Sequence, residues 1–147
     1  MKKAIFLLLL VMLTVTVMAC GDFAASTEET ATESAESETE EKQVVYENIT
    51  ADEAKQIMDT ESGYVILDVR TESEYAEGHI PGAILIPDYE ITELAESILT
   101  DKDQKILVYC RSGRRSKNAA QALLALGYTN IWEFGGIIDW NYDIEKN

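Results

Sequence analysis

At 147 residues, 46% of them hydrophobic, the chain is sized for one domain with a real core, which excludes disorder throughout. Its 27 acidic and 12 basic residues give a net charge of −15, which excludes a broadly basic, nucleic-acid-binding surface.

The first twenty residues read MKKAIFLLLLVMLTVTVMAC. Lys2 and Lys3 precede an apolar stretch from Ala4 to Ala19, the layout of a secretory signal peptide over residues 1–19. Sixteen residues interrupted by Thr14 and Thr16 fall short of the roughly 20 that span a bilayer. The closing VMAC resembles the lipobox of bacterial lipoproteins, which implies lipid on Cys20 and anchoring to a bacterial membrane outside the cytoplasm. Behind Cys20, Gly21 to Gln43 holds eight acids, one lysine and one aromatic residue. That composition cannot bury enough apolar surface to offset ordering entropy, so residues 20–43 are expected to be a lipidated, disordered tether.

Residues 44–147 remain as the folded domain, with a net charge of about −10. Thr50 and Glu53 form a capping-box pattern that predicts a helix from about Ala51. GYVILDVR then predicts a buried strand from Tyr64 to Leu67 ending on Asp68, followed by a polar turn or short helix over Glu72 to Glu77. A short strand near Ala83 to Ile86 and a helix from Ile91 to Leu99 come next. KILVYC, residues 105 to 110, is the clearest strand. From Ser116, SKNAAQALLALG places Ala119, Ala120, Leu123 and Leu124 on one helical face and stops at Gly127. NIWEF predicts the last strand, and GGIIDW a short terminal helix. Strands alternating with helices imply an α/β fold with a parallel sheet covered on both faces.

In such sheets ligands sit beyond the carboxyl ends of the strands, and Cys110 lies at one. The segment CRSGRRSK puts Arg111, Arg114, Arg115 and Lys117, four of the nine bases in the folded region, within seven positions. Cations near a helix N-terminus oppose its dipole, a cost that a bound anion would offset. Gly113 permits a tight curve in which the amides of Arg111, Ser112, Gly113, Arg114 and Arg115 converge as an anion nest on the Cys110 sulfur. Those amides and the helix N-terminus favour thiolate over thiol, giving a nucleophile suited to an anionic substrate. Taken alone, a cysteine closing an apolar strand is equally a small buried hydrophobe. With Cys20 lipidated, however, Cys110 has no disulfide partner in an oxidising compartment, and persistence there suggests reactivity.

Four motifs in order, DVR at Asp68 to Arg70, EGHIPGAI at Glu77 to Ile84, CRSGRRS at Cys110 to Ser116, and Gly135-Gly136 with Trp140, resemble those of a single-domain rhodanese, a sulfurtransferase. The resemblance spans about Ile49 to Trp140. It implies a three-layer fold with a central, mostly parallel sheet flanked by helices. It also implies that Cys110 takes sulfane sulfur from a small anionic donor such as thiosulfate, holds it as a persulfide and passes it to cyanide or a thiol. Arg111, Arg114 and Arg115 would attract the donor, with Arg115 at the family's loop-closing position. Asp68 and Arg70 read as a structural ion pair or loop clamp, and His79, the only histidine, as a hydrogen-bonded structural residue rather than a general base. No cofactor is implied, and one histidine with one available thiol does not make a metal site.

Two rivals stay open. Phosphatases and arsenate reductases of related architecture carry arginine six positions after the cysteine, where this chain has Ser116; the shorter loop is too small for phosphate. A non-enzymatic rhodanese-fold module that binds a partner or senses redox state is the other. The sequence does not identify a protein acceptor.

Overall fold

A computed structural model describes residues 42–146. The expected signal peptide, Cys20 and nearly all of the tether lie outside the described residues. Five strands form one sheet in the order β1-β5-β4-β2-β3, with every pairing parallel. In chain order they are β1 (Val45–Asn48), β2 (Tyr64–Asp68), β3 (Ile84–Leu85), β4 (Lys105–Cys110) and β5 (Asn130–Gly136). Between them run α1 (Ala51–Thr60), α2 (Glu72–Glu77), α3 (Ile91–Ile98) and α4 (Arg114–Ala125), and a 3-10 turn closes the order at Ile137–Asp139.

The helix starts follow from local chemistry. Thr50 accepts a hydrogen bond from the Glu53 amide while the Glu53 carboxylate accepts from the Thr50 amide, so the expected capping box forms and starts α1. Thr71 and Glu74 repeat the device at α2. Two differences from the sequence reading matter. β1 was not anticipated: its four residues are half exposed, and they become a strand only by pairing with β5, from Val45 opposite Asn130 to Asn48 opposite Glu133. α4 begins at Arg114, two residues before Ser116, because Gly113 takes a left-handed conformation (φ 94°) as its N-cap and turns the chain straight into the helix.

Side chains alternate across β4, and that parity positions the site. Ile106, Val108 and Cys110 join Leu67, Ile131 and the buried faces of α3 and α4 in one core. Leu107 and Tyr109 face the other way, against Ala51 and Ala54 of α1, Ile66, Phe134 and Trp140. Each fully buried Leu or Ile stabilises the fold by about 1.5–3 kcal/mol relative to exposure. Two dry faces therefore fix the sheet register, and with it the direction of the Cys110 side chain, towards the first turn of α4.

Candidate active site

Cys110 ends β4, and its thiol lies against the start of α4 with 1% of the residue exposed. The first amides of a helix have no partner within it, and here they surround the sulfur. The Gly113 amide donates to Sγ at 3.1 Å, and the Ser116 hydroxyl lies 3.5 Å from it. Burial alone would push the thiol up. The Ser116 hydroxyl and the amides of Ser116, Ser112 and Gly113 outweigh that and hold it below the ordinary thiol value.

The end of β5 presses on this turn from behind. Cys110 is the register partner of Gly136 across an irregularity in the β4–β5 ladder. A Cβ at position 136 would collide with the Arg111 carbonyl and the Ser112 backbone, so only glycine lets β5 approach this closely. The Ile138 amide donates to the Arg111 carbonyl at 3.3 Å and fixes the same segment. Gly136 is thus a wall of the sulfur-binding turn.

The expected site residues divide into three groups. Arg111, Ser112 and Arg114 are exposed around the turn, and among the described residues neither arginine has a carboxylate partner. Arg115 differs: its guanidinium grips Glu74 with two bonds of 2.7 Å, and the arginine hydrogen bonds hold that carboxyl down at about 2. Its charge is spent tying α2 to α4. Asp68 and Arg70 form a buried bidentate pair at 2.6 to 3.0 Å, and Arg70 Nη2 also donates to the Gly78 carbonyl at 2.7 Å. That pair clamps the turn after α2. His79 is buried beside it, stacked on Tyr75, donating from Nδ1 to the Tyr75 carbonyl, with Nε2 3.2 Å from Glu145. None of these His79 contacts involves the Cys110 turn.

A cavity of about 410 Å³ opens beside the turn, lined among others by Arg70, Arg111, Ile138, Trp140 and Tyr142. Arg111 belongs both to this lining and to the sulfur-binding turn.

Three participants were not anticipated. Ser116 supplies a hydroxyl to the sulfur rather than only beginning a helix. Glu133, 2% exposed, accepts from that hydroxyl at 2.6 Å. Glu74 neutralises Arg115. The alternation of β5 was a usable signal for Glu133, since an acid two residues after the buried Ile131 shares its inward face.

Comparison with known proteins finds relatives of this chain. Residues 50–143 match the model of the rhodanese-like domain. The thiosulfate sulfurtransferase PspE of Escherichia coli is 38% identical over 73 residues, covering 50% of this chain and 70% of that protein. A sulfurtransferase of Allochromatium vinosum is 38% identical over 88 residues, covering 59% and 79%. Among solved structures, the rhodanese-like domain of an Anabaena protein superposes with a TM-score of 0.65 at 29% identity, covering 70% of this chain and 81% of that one.

Proposed function

The chain belongs to the rhodanese-like domain family, and on that premise we propose that it is a sulfurtransferase that moves sulfane sulfur from thiosulfate through a persulfide on Cys110. The observation that carries this reading is the ring of donors on Sγ, from the Gly113 amide to the Ser116 hydroxyl, because the same donors that hold a thiolate also suit a persulfide anion. The thiolate attacks the outer sulfur of thiosulfate; a sulfur–sulfur bond to Cys110 forms, the old one breaks, and sulfite leaves with the electron pair. Cyanide or a thiolate then attacks the terminal sulfur, and Cys110 returns as thiolate. Neither step needs a base once the thiolate exists.

Arg111 and Arg114 concentrate the dianionic donor at the mouth of an otherwise acidic domain. Arg115, paired with Glu74, serves the frame instead. Thiosulfate–cyanide turnover tests both parts. Because exposed charges are screened over about 8 to 10 Å, inert salt is expected to raise KM for thiosulfate more than it lowers kcat. Arg111→Ala and Arg114→Ala should raise KM severalfold and flatten the salt response. Unchanged KM in both variants contradicts steering, and turnover of an aryl phosphate at a comparable rate contradicts sulfur transfer as the function.

We further propose that lipid on Cys20 tethers the domain to a membrane outside the cytoplasm, a reading supported by the Lys2-Lys3, apolar and VMAC sequence. Cys20→Ser should move the protein out of the membrane fraction of its cell. Retention of that variant there contradicts the anchor.

A further inference from the structure

Glu133 is a buried acid that the transfer chemistry above leaves without a task. Its carboxylate lies under the first turn of α4, where Oε1 accepts the Ser116 hydroxyl at 2.6 Å and the Gly135 amide at 2.9 Å. Among the described residues no lysine or arginine forms an ion pair with it. Of the bases on the adjoining helical turn, Arg115 is held by Glu74, and Arg114 and Lys117 are exposed. Its register partners on the two neighbouring strands, Val108 of β4 and Asn48 of β1, do not ionise. The ionisable group that shares its surroundings is Cys110.

One hydroxyl joins the two. Ser116 Oγ is 2.6 Å from Glu133 Oε1 and 3.5 Å from Cys110 Sγ, so the acid and the sulfur are at most about 6 Å apart. The hydroxyl has a single proton, and the carbonyls of Gly113 and Gly135, at 3.1 and 3.2 Å, are its other acceptors. It cannot donate to a carboxylate and a thiolate at once. Two anions at this separation, away from water, also repel.

We propose that Glu133 is the proton partner of Cys110, exchanging one proton with it through Ser116 Oγ and so setting when the sulfur is a nucleophile. The Cys110 S–H gives its proton to Ser116 Oγ while the Ser116 hydroxyl passes its own to Glu133 Oε1. A thiol and a carboxylate become a thiolate and a carboxylic acid, with no change of net charge. The hydroxyl, renewed from the thiol, then donates to the sulfur anion. Glu133 is in this sense a positioning residue. Its effect on turnover rests on the sulfurtransferase reading; the proton exchange belongs to the resting protein.

The test is the rate of Cys110 alkylation by iodoacetamide against pH, read by mass on the Cys110 peptide from the full chain in detergent, with no sulfur donor present. Glu133→Gln removes the competing anion, so the dissociation constant of the thiol should rise about tenfold or more, and its profile should reduce to one ionisation. An unchanged profile in a folded Glu133→Gln protein overturns the proposal. Should that variant not fold, the carboxyl carbon shift of Glu133 is followed against pH in the unsubstituted chain and in Cys110→Ala. Coupling is reciprocal, so the Glu133 carbon signal should register the ionisation of Cys110 and lose that step in Cys110→Ala, and a signal indifferent to Cys110→Ala overturns the proposal. A protein that shows this coupling but yields no thiocyanate refutes the sulfurtransferase reading alone.

Discussion

Cys110→Ala is expected to abolish thiocyanate formation from thiosulfate and cyanide, to the background rate, while leaving the domain folded. The sulfur is the only atom in the described site that can form the covalent intermediate, so nothing remains to divide the transfer into two steps. The fold should tolerate the change. Alanine keeps the Cβ that packs beneath α4, loses one buried sulfur, and relieves the turn of holding a negative charge. A modest cavity cost of about 1 kcal/mol is the expected loss. Circular dichroism and thermal melting check the fold, and the thiosulfate–cyanide assay checks the chemistry. Residual turnover near the native rate would show that another group performs the transfer.

Arg70→Ala should produce the largest loss of stability, about 3–5 kcal/mol, because it strands the Asp68 carboxylate in a fully buried position. Asp68 depends on Arg70 for charge compensation, and the same guanidinium holds the Gly78 carbonyl at the C-terminal end of α2. Loss of the clamp also frees one side of the cavity beside Arg111. The double variant Asp68→Ala, Arg70→Ala should recover part of the loss, since it removes the uncompensated charge along with its partner. Urea titration of the two variants measures this, and a double variant no more stable than Arg70→Ala would assign the cost to lost packing instead.

Much of the fold was legible because its signals are local. Thr50 with Glu53 is a start signal written in four residues, and KILVYC declares a strand buried on both faces by its unbroken apolar run. Gly127, at φ 88°, stops the chain just past α4 as its position suggested. β1 was illegible for the opposite reason. Val45–Asn48 carries only two strand formers, Val45 and Tyr46, before Glu47 and Asn48, and acquires its strand geometry from β5, more than eighty residues away in sequence. The start of α4 was misplaced because Gly113 was read as a loop glycine, whereas its left-handed turn lets Arg114 and Arg115 enter the helix at once.

The site followed the same division. Cys110 and its basic surroundings were visible in one short segment, since a nest and a helix N-terminus are contiguous features. What the arginines do was not, because Arg115 meets Glu74 only once the fold brings residues 41 positions apart in sequence within reach. Glu133 was hidden inside an apolar strand, and only the pairing of β5 with β4 brings it beneath the Ser116 hydroxyl. Gly136 was seen as half of a Gly-Gly motif; its physical reason, the approach of the Arg111 and Ser112 backbone, exists only in three dimensions.

The proposed role of Cys110 as carrier of the travelling sulfur can be read by mass spectrometry of its peptide. After exposure of the protein to thiosulfate, that peptide should be heavier by one sulfur atom and return to its original mass when cyanide is added, with no such change in Cys110→Ala. Thiocyanate production by a protein whose Cys110 peptide never gains sulfur would contradict it.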